Sequence, residues 1–215
     1  MKLFSILFCS FIAFISVAQQ PTAIWSNRYN GEGDYADKFN CVKTDASGNI
    51  YLAGYTVRTG KRMDYLTVKL NSSGDTLWTA TYNGTDSKDD EILAMAVDAS
   101  GNVYVTGYSK DVQFNDNIIT IKYSAGGVVL WTATYDNTSA GQDDQGNALT
   151  LDNNGNVLVA GQTDIDPTAT VDDAFIVLSY SNTGTLNWSY LHDVGITDRS
   201  EEHTSELQSQ FRISY

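Results

Sequence analysis

The chain has 215 residues, of which 42% are hydrophobic and 18% are charged, a balance that predicts a folded globular protein and excludes a disordered one. The formal net charge of −13 argues against nucleic acid and anionic membranes as partners, because affinity for phosphates comes from Lys and Arg. The simplest explanation of the acidity is solubility, and a cation or a cationic partner is the alternative.

The chain opens with an apolar segment, Leu3–Val17. Small residues at Ser16 and Ala18 suit the −3 and −1 positions of a signal-peptidase site, so residues 1–18 are predicted to be a secretory signal peptide. A short N-terminal anchor is the alternative, although the segment is short for a membrane span. We therefore expect a secreted, periplasmic or cell-surface protein with no membrane span after cleavage.

One cysteine, Cys41, remains after that cleavage, so no intramolecular disulfide can form. In the repeat described next, Cys41 aligns with Ala94 and Ala148. Small residues at this place indicate a crowded inner strand. We expect a buried structural thiol there and not a reactive one.

A repeat of about 53 residues decides the predicted architecture. Its most visible marker is a tryptophan; the first three are spaced by 53 residues and the fourth follows 57 residues later. Three sets of glycines keep nearly the same spacing. The markers are Trp25, Trp78, Trp131 and Trp188, with Gly48, Gly101 and Gly155, Gly54, Gly107 and Gly161, and Gly74, Gly127 and Gly184.

The middle repeat contains four short runs rich in β-branched and aromatic residues, separated by turn residues: Glu91–Asp98, Val103–Tyr108, Asn117–Tyr123 and Val128–Tyr135. We name these predicted strands A, B, C and D. Tight turns favour antiparallel pairing over the parallel rungs of a β-helix. Four antiparallel strands with this period are typical of a β-propeller blade. The recurring tryptophan is most simply a packing residue between blades, and an aromatic platform for a sugar is the alternative.

The predicted fold class is therefore all-β: three complete four-stranded antiparallel blades, at about 30–82, 83–135 and 136–191, plus one leading strand at 25–29. Together they form a propeller region at 19–198. Propellers usually have about four to eight blades, so we expect a truncated propeller. The leading strand would then complete a last blade that is missing.

The turn between strands A and B recurs as Asp-x-x-Gly-Asn. Its aspartate can accept hydrogen bonds from the backbone two residues on, and its glycine allows a positive φ. A calcium loop is the alternative, but one carboxylate in each turn is far from the six to eight oxygens that calcium takes. We expect structural turns at Asp45 and Gly48, Asp98 and Gly101, and Asp152 and Gly155.

A second set of aspartates, Asp37, Asp90 and Asp143, lies twelve residues after successive tryptophans. These residues are predicted at the start of strand A, near the mouth of a central channel. They could hold a cation such as Ca²⁺ or a polar ligand. Alternatively, each aspartate stabilises its own D–A loop by hydrogen bonds to the backbone, which we favour because every repeat has it. The B–C loops vary most among the repeats and are the other candidates for binding.

The segments Asp98–Gly107 and Asp64–Trp78 resemble the SBBP family of bacterial β-propeller repeats. This resemblance covers about residues 25–191. It implies the propeller fold and an exported bacterial protein, and it implies almost nothing about function. The Gly-x-x-x-Trp endings also resemble the repeats of quinoprotein dehydrogenases, but nothing matches the cofactor ligands of that family.

The tail at 199–215 has no place in the repeat. Residues 199–209 resemble the in-frame translation of a common sequencing adapter, so we exclude the tail from fold reasoning as non-native. That exclusion removes His203 and leaves His192 as the only native histidine, which cannot form a metal cluster or a catalytic triad alone.

We see no nucleophile–base pair, no metal-ligand spacing and no phosphate loop. The favoured function is therefore a non-enzymatic exported scaffold or binding module for a protein or glycan, as a fragment of a larger surface or secreted protein. One alternative is a fragment of a propeller enzyme, a hydrolase or a quinoprotein-like oxidoreductase, whose catalytic residues lie in missing blades. The other is a calcium-stabilised structural propeller.

Overall fold

The structure is a computed structural model that describes residues 25–26, 28–31, 35–58, 62–84, 87–137, 143–165 and 173–192. The expected signal peptide and the tail at 199–215 lie outside the described residues. Within these ranges all regular elements are β-strands, twelve in number. No helix in the described part is long and apolar enough to span a membrane.

The twelve strands form three sheets, each made of four strands that pair antiparallel in chain order. The all-β prediction of three four-stranded antiparallel blades is thereby confirmed. Blade 1 is β1 (Asp37–Thr44), β2 (Ile50–Val57), β3 (Met63–Leu70) and β4 (Thr76–Tyr82). Blade 2 is β5 (Asp90–Val97), β6 (Val103–Lys110), β7 (Asp116–Tyr123) and β8 (Val129–Tyr135). Blade 3 is β9 (Asp144–Leu151), β10 (Val157–Asp164), β11 (Asp173–Tyr180) and β12 (Leu186–His192).

Strand A of each blade contains a bulge, and a repeated glycine on strand B makes it possible. In blade 2 the register between β5 and β6 shifts between Ile92 and Ala94, opposite Gly107. A β-carbon on Gly107 would lie 1.9 Å from the carbonyl oxygen of Glu91. Gly54 and Gly161 are as crowded, so a residue with a side chain would break the ladder at each of these places.

The blades pack face to face in chain order, and successive A strands contact one another. Between blades 1 and 2, Tyr51 and Tyr65 of blade 1 lie fully buried against Val105 and Ile121 of blade 2. Between blades 2 and 3, a second core cluster forms in the same way. Burial of such side chains stabilises each interface by about 1.5–3 kcal/mol per side chain. The core of the molecule therefore lies between the blades.

The tryptophan of strand D covers a glycine in the C–D turn of the following blade. A β-carbon built on Gly127 would lie 2.7 Å from the indole of Trp78. A β-carbon built on Gly184 would lie 2.7 Å from the indole of Trp131. Both glycines have a positive φ, 83° and 86°. The indole N–H of Trp78 donates to the carbonyl of Ala125 at 3.0 Å, which fixes the ring against the turn.

Trp25 occupies the corresponding place on blade 1, 2.8 Å from a β-carbon built on Gly74. Among the described residues, Trp25 and its neighbours up to Tyr29 belong to none of the twelve strands. Tyr29 packs edge-on against Phe39, with ring centroids 6.0 Å apart. The segment thus has the tryptophan packing of a preceding strand D, without the ladder that was expected of a leading strand.

Both ends of this row of blades are open. On blade 1, a cavity of about 470 Å³ lies between the Trp25 segment and the sheet, lined by apolar residues that include Phe39 and Leu52. On blade 3, Phe175, Trp188 and Tyr190 are 62%, 49% and 56% exposed. Of the three described sheets, only blade 2 is covered on both faces.

Candidate functional site at the loop face

The two ends of the strands carry different kinds of connection. The A–B and C–D turns form one end, which we call the turn face, and five-residue hydrogen-bonded turns recur there. The B–C and D–A connections form the other end, which we call the loop face; parts of these loops lie outside the described residues. Function usually lies on variable loops held by a rigid scaffold, which makes the loop face the candidate site.

On the turn face, the aspartate of each A–B turn uses its oxygens on its own turn. Asp45 accepts hydrogen bonds from the backbone N–H groups of Ser47 and Asn49, from the Asn49 side chain and from the Tyr51 hydroxyl, at 2.7–3.0 Å. These bonds, the Asn49 side chain first, lower the pKa of Asp45 to about 2.

Asp98 and Asp152 repeat this arrangement. Asp98 accepts from Ser100, from Asn102 and from the Tyr104 hydroxyl. Burial opposes ionisation of Asp98, but the bonds from Asn102 and its neighbours still lower its pKa. Asn156 lowers the pKa of Asp152 in the same way. The turn glycines Gly48, Gly101 and Gly155 have φ of 78°, 79° and 79°. The geometry is that of structural turns.

On the loop face, the first aspartate of strand A holds the preceding loop. Asp37 accepts from the backbone N–H of Gly31 at 2.8 Å and from the Thr56 hydroxyl at 2.6 Å. In blade 2, Asp90 accepts from the backbone N–H of Gly84 at 2.7 Å. Each carboxylate therefore joins its D–A loop to the start of its own sheet.

In blade 3 the aspartate that holds the D–A loop is Asp144 and not Asp143, which lies twelve residues after Trp131. Asp144 accepts from the backbone N–H of Asn137 at 2.8 Å and from the Thr163 hydroxyl. Blade 3 begins 54 residues after blade 2, whereas blade 2 begins 53 after blade 1, and this extra residue shifts the register. The structure therefore brings Asp37 and Asp90 to equivalent positions and Asp143 to a different one.

Asp143 is the counterpart of Asp89, and both connect neighbouring blades. The Asp89 carboxylate accepts from the backbone N–H of Met63 in blade 1 at 3.2 Å. The Asp143 carboxylate accepts from the backbone N–H of Asp116 in blade 2 at 2.8 Å. Two adjacent aspartates thus do two tasks: the first ties two blades together and the second holds the loop.

Asp90 and Asp144 are completely buried. Burial raises the pKa of each to about 6, against the opposing effects of the Gly84 N–H on Asp90 and of the Thr163 hydroxyl and the Asn137 N–H on Asp144. These two carboxyls are the strongly perturbed acids of the loop face. Their contacts serve the fold first, because each one anchors a loop.

A metal ion needs several ligands that converge on one point. In the described ranges, no group of three or more His, Cys, Asp or Glu side chains is arranged to hold one. Asp37, Asp90 and Asp143 each accept a hydrogen bond from a backbone N–H group, which belongs to the preceding loop for Asp37 and Asp90 and to the neighbouring blade for Asp143. Binding of a cation by these three residues stays a prediction.

The inner rim of the loop face is polar and joins blades 1 and 2. Glu91 accepts from the Asn40 side chain at 2.9 Å and from the Tyr108 hydroxyl at 3.1 Å, and it pairs with Lys38 at 3.6 Å. Beside it the Cys41 thiol donates to the carbonyl of Leu93 at 3.3 Å. Burial raises the pKa of Cys41, which is the behaviour of a structural thiol.

One residue of the loop face escaped the sequence reading. Phe114 has a φ of 70° and is 50% exposed, on the B–C loop of blade 2. Its turn, Asp111–Asn115, has the hydrogen bonds of the A–B turns. The signal was available, because Asp-x-x-Phe-Asn is the turn motif with phenylalanine in the glycine position.

The blades resemble a known family of repeats. A model of the SBBP family, a β-propeller repeat, matches residues 80–111 and 138–167, which include strands A and B of blades 2 and 3. No curated protein matches the sequence. A crystal structure of a protein of unknown function from Bacteroides caccae aligns with a TM-score of 0.41 and 11% identity, over 71% of this chain and 60% of that one. The chain thus spans less than two thirds of that structure. Two segments of the chain are therefore similar to SBBP β-propeller repeats, and its described part consists of three four-stranded β-propeller blades.

Proposed function

We propose that the chain is an exported, non-enzymatic β-propeller module that binds a ligand through its loop face. The observation that carries this proposal is the difference between the two faces. The A–B turns at Asp45, Asp98 and Asp152 repeat the same bonds in all three blades, as a structural element does. The loop face instead changes from blade to blade while buried aspartates hold it in place.

The B–C loops illustrate that change. The first carries Arg58 and Arg62, and the second carries Asp111 and an exposed Phe114. Arg58 pairs with Asp64 at 3.5 Å, whereas Arg62 pairs with Asp89 at 3.3 Å. Different chemistry on a rigid, repeated scaffold is what selective binding requires.

The test of binding uses glycan and protein arrays probed with the labelled full chain. The assay includes two matched variants. One replaces the B–C loops. The other replaces A–B turn residues such as Ala99 and Ser100, whose side chains make none of the turn hydrogen bonds described above. We expect a ligand whose signal is lost in the first variant and kept in the second. Loss in both variants, or equal signal in both, would contradict a loop-face site. A chelator added to the same assay separates a calcium-dependent module from a metal-independent one.

Export is tested separately, because the expected signal peptide lies outside the described residues. Residues 1–18 fused to a reporter should carry the reporter out of the cytoplasm, with cleavage after Ala18 shown by N-terminal sequencing. A reporter that stays in the cytoplasm would remove the exported part of the proposal and leave the binding part untouched.

We further propose that the chain is a fragment of a larger surface or secreted protein. What supports this is the pair of open blade faces together with the adapter-like tail at 199–215. Sequencing the native gene across the codons for Asp198 and Arg199, with a primer outside any adapter, should show further propeller repeats. A gene that truly encodes the tail would show that the proposal is wrong.

A further inference from the structure

The B–C turn of blade 2 carries phenylalanine at a position whose left-handed backbone conformation favours glycine. In this turn the Asp111 N–H donates to the Asn115 carbonyl at 2.9 Å, and the Phe114 N–H donates to the Asp111 carbonyl at 3.1 Å. The A–B turn of the same blade has the same two bonds at 3.0 Å, with Gly101 in place of Phe114. A left-handed backbone suits glycine and disfavours any residue with a β-carbon, so Phe114 is held in a strained conformation.

The fold gains little from this strain. Phe114 is half exposed, its neighbour Val112 is 57% exposed, and neither belongs to a core cluster among the described residues. Lys110 also holds the turn, because it donates to the carbonyl of Phe114 at 3.4 Å and pairs with Asp116. The turn therefore presents an aromatic ring to solvent at a local energetic cost, which is a feature of binding sites.

Two cations from neighbouring loops approach the same ring. The ammonium of Lys88, on the D–A loop before blade 2, lies 4.1 Å from the ring centroid of Phe114. The guanidinium carbon of Arg62, on the B–C loop of blade 1, lies 5.8 Å from it. Arg62 is paired with Asp89, whereas Lys88 has no carboxylate within ion-pair distance among the described residues. We call Arg62, Lys88, Val112 and Phe114 the Phe114 patch.

We propose that the Phe114 patch binds a carboxylate-bearing sugar, such as a uronic acid unit of an acidic polysaccharide. The C–H-rich face of a pyranose ring would pack on the Phe114 ring in place of the Lys88 ammonium. The displaced ammonium would then pair with the sugar carboxylate by a charge-assisted hydrogen bond. This inference rests on the proposed function, since it names the ligand class of the loop face.

The geometry favours a sugar over an acidic peptide. An extended peptide would add to a free strand edge, but β7, beside the patch, already pairs with β6 and β8. The apolar area of the patch is limited to Val112 and Phe114, which matches one sugar ring better than a run of apolar side chains.

The test replaces the turn by its own glycine version. The variant Val112→Ala, Gln113→Ser, Phe114→Gly turns residues 111–115 into the sequence of residues 98–102, whose backbone already has the required conformation. The matched control, Ala99→Val with Ser100→Gln, puts two of the same residues on the turn face. A third variant, Lys88→Gln, removes only the charge.

Calorimetric titration of the full chain is done with polygalacturonate, with its methyl ester, which lacks the carboxylates, and with polyglutamate, which carries carboxylates on a peptide. We expect polygalacturonate to bind about tenfold or more tighter than the other two, because it alone offers both a sugar face and a charge. The glycine variant and Lys88→Gln should each weaken polygalacturonate binding about tenfold, and the turn-face control should leave it unchanged. Urea unfolding of the glycine variant should occur at the same or a higher concentration.

Three results would overturn the inference. If the glycine variant unfolds at a lower urea concentration, the ring is a structural clamp between loops. If polyglutamate binds as well as polygalacturonate, the patch recognises charge and not a sugar. If polygalacturonate does not bind, or binds all variants equally, the ligand class is wrong. In that last case the array experiment still decides whether another ligand uses the loop face, so the two proposals fail separately.

Discussion

At the scale of single residues, the glycines of the turn face separate two physical effects. Gly127 and Gly155 have almost the same φ, 83° and 79°. A β-carbon on Gly127 would lie 2.7 Å from the indole of Trp78, whereas a β-carbon on Gly155 meets nothing within 4 Å. Backbone strain is therefore common to both positions, and the clash with the neighbouring blade belongs to Gly127 alone.

We predict that Gly155→Ala lowers the free energy of unfolding by about 1–2 kcal/mol, the cost of a left-handed alanine. Gly127→Ala should lower it by that amount plus about 1–3 kcal/mol, because the indole must move. Urea unfolding of both variants gives the difference. Equal losses would mean that Trp78 does not hold the position described here.

The buried carboxyls of Asp90 and Asp144 predict a pH dependence. Their pKa of about 6 lies above the ordinary value of 3.8, so the folded chain binds more protons than the unfolded chain between these values. Stability should therefore decrease as the pH rises from about 4 to about 6.5. Asp45, Asp98 and Asp152 act in the opposite sense, since their lowered pKa values stabilise the fold above pH 4 and that stability is lost below it.

Asp90→Asn tests this dependence, because an asparagine oxygen can still accept the Gly84 N–H but cannot ionise. The decrease between pH 4 and 6.5 should shrink by at most about 3 kcal/mol, which is two pKa units at 1.36 kcal/mol each. Asp152→Asn is the control and should change the pH dependence only below about pH 4. An unchanged curve in the Asp90 variant would contradict the raised pKa.

Residue-level prediction from the sequence succeeded where the chemistry is local. The turn motif at Asp98 and Gly101 determines its own hydrogen bonds, so its structure could be inferred from five residues. Asp143 was assigned to the wrong structural position because counting from a tryptophan cannot locate an inserted residue. Phe114 was missed because the turn motif was recognised by its glycine, and here phenylalanine stands in the glycine position.

At the scale of strands, the tryptophans of the D strands in blades 2 and 3 have different surroundings. Trp131 on β8 covers Gly184, and its indole N–H donates to the Asn182 carbonyl at 2.9 Å. Trp188 on β12 has the same position in its blade but is 49% exposed. The two tryptophans therefore occupy the same place in their strands but have different environments.

Trp131→Ala should lower the free energy of unfolding by about 3–5 kcal/mol, as expected for a large aromatic removed from an interface. Trp188→Ala should change it by less than about 1 kcal/mol in this chain, because little is packed against the ring. Thermal or urea unfolding measures both. A large loss in the Trp188 variant would show that something covers blade 3.

The strands themselves were largely predictable, because runs of β-branched and aromatic residues between Gly- and Asn-containing turns define them. The sequence places the run Val103–Tyr108, and the strand is Val103–Lys110. What the repeat could not show is which strand the Trp25 segment would join. Its packing over Gly74 follows the repeat, but a ladder needs a neighbouring strand, and the described residues contain none for it.

At the scale of the whole molecule, three blades form a row in which the middle one is sandwiched. In blade 2, β7 is buried along almost its full length, whereas β12 of blade 3 is exposed along almost its full length. Stability should follow this order, because buried apolar contacts determine which segments open last. The blade number predicted from a 53-residue period agrees with the structure, since each period closes one sheet.

Hydrogen exchange of the native full chain, followed by mass spectrometry, tests this arrangement most directly. The amides of β6 and β7 should exchange slowest, at the rate of global unfolding, and those of β12 and β1 should exchange much faster. Equal protection of β12 and β7 would contradict the account, because it would require the open face at Trp188 and Tyr190 to be covered as completely as the interfaces on either side of blade 2.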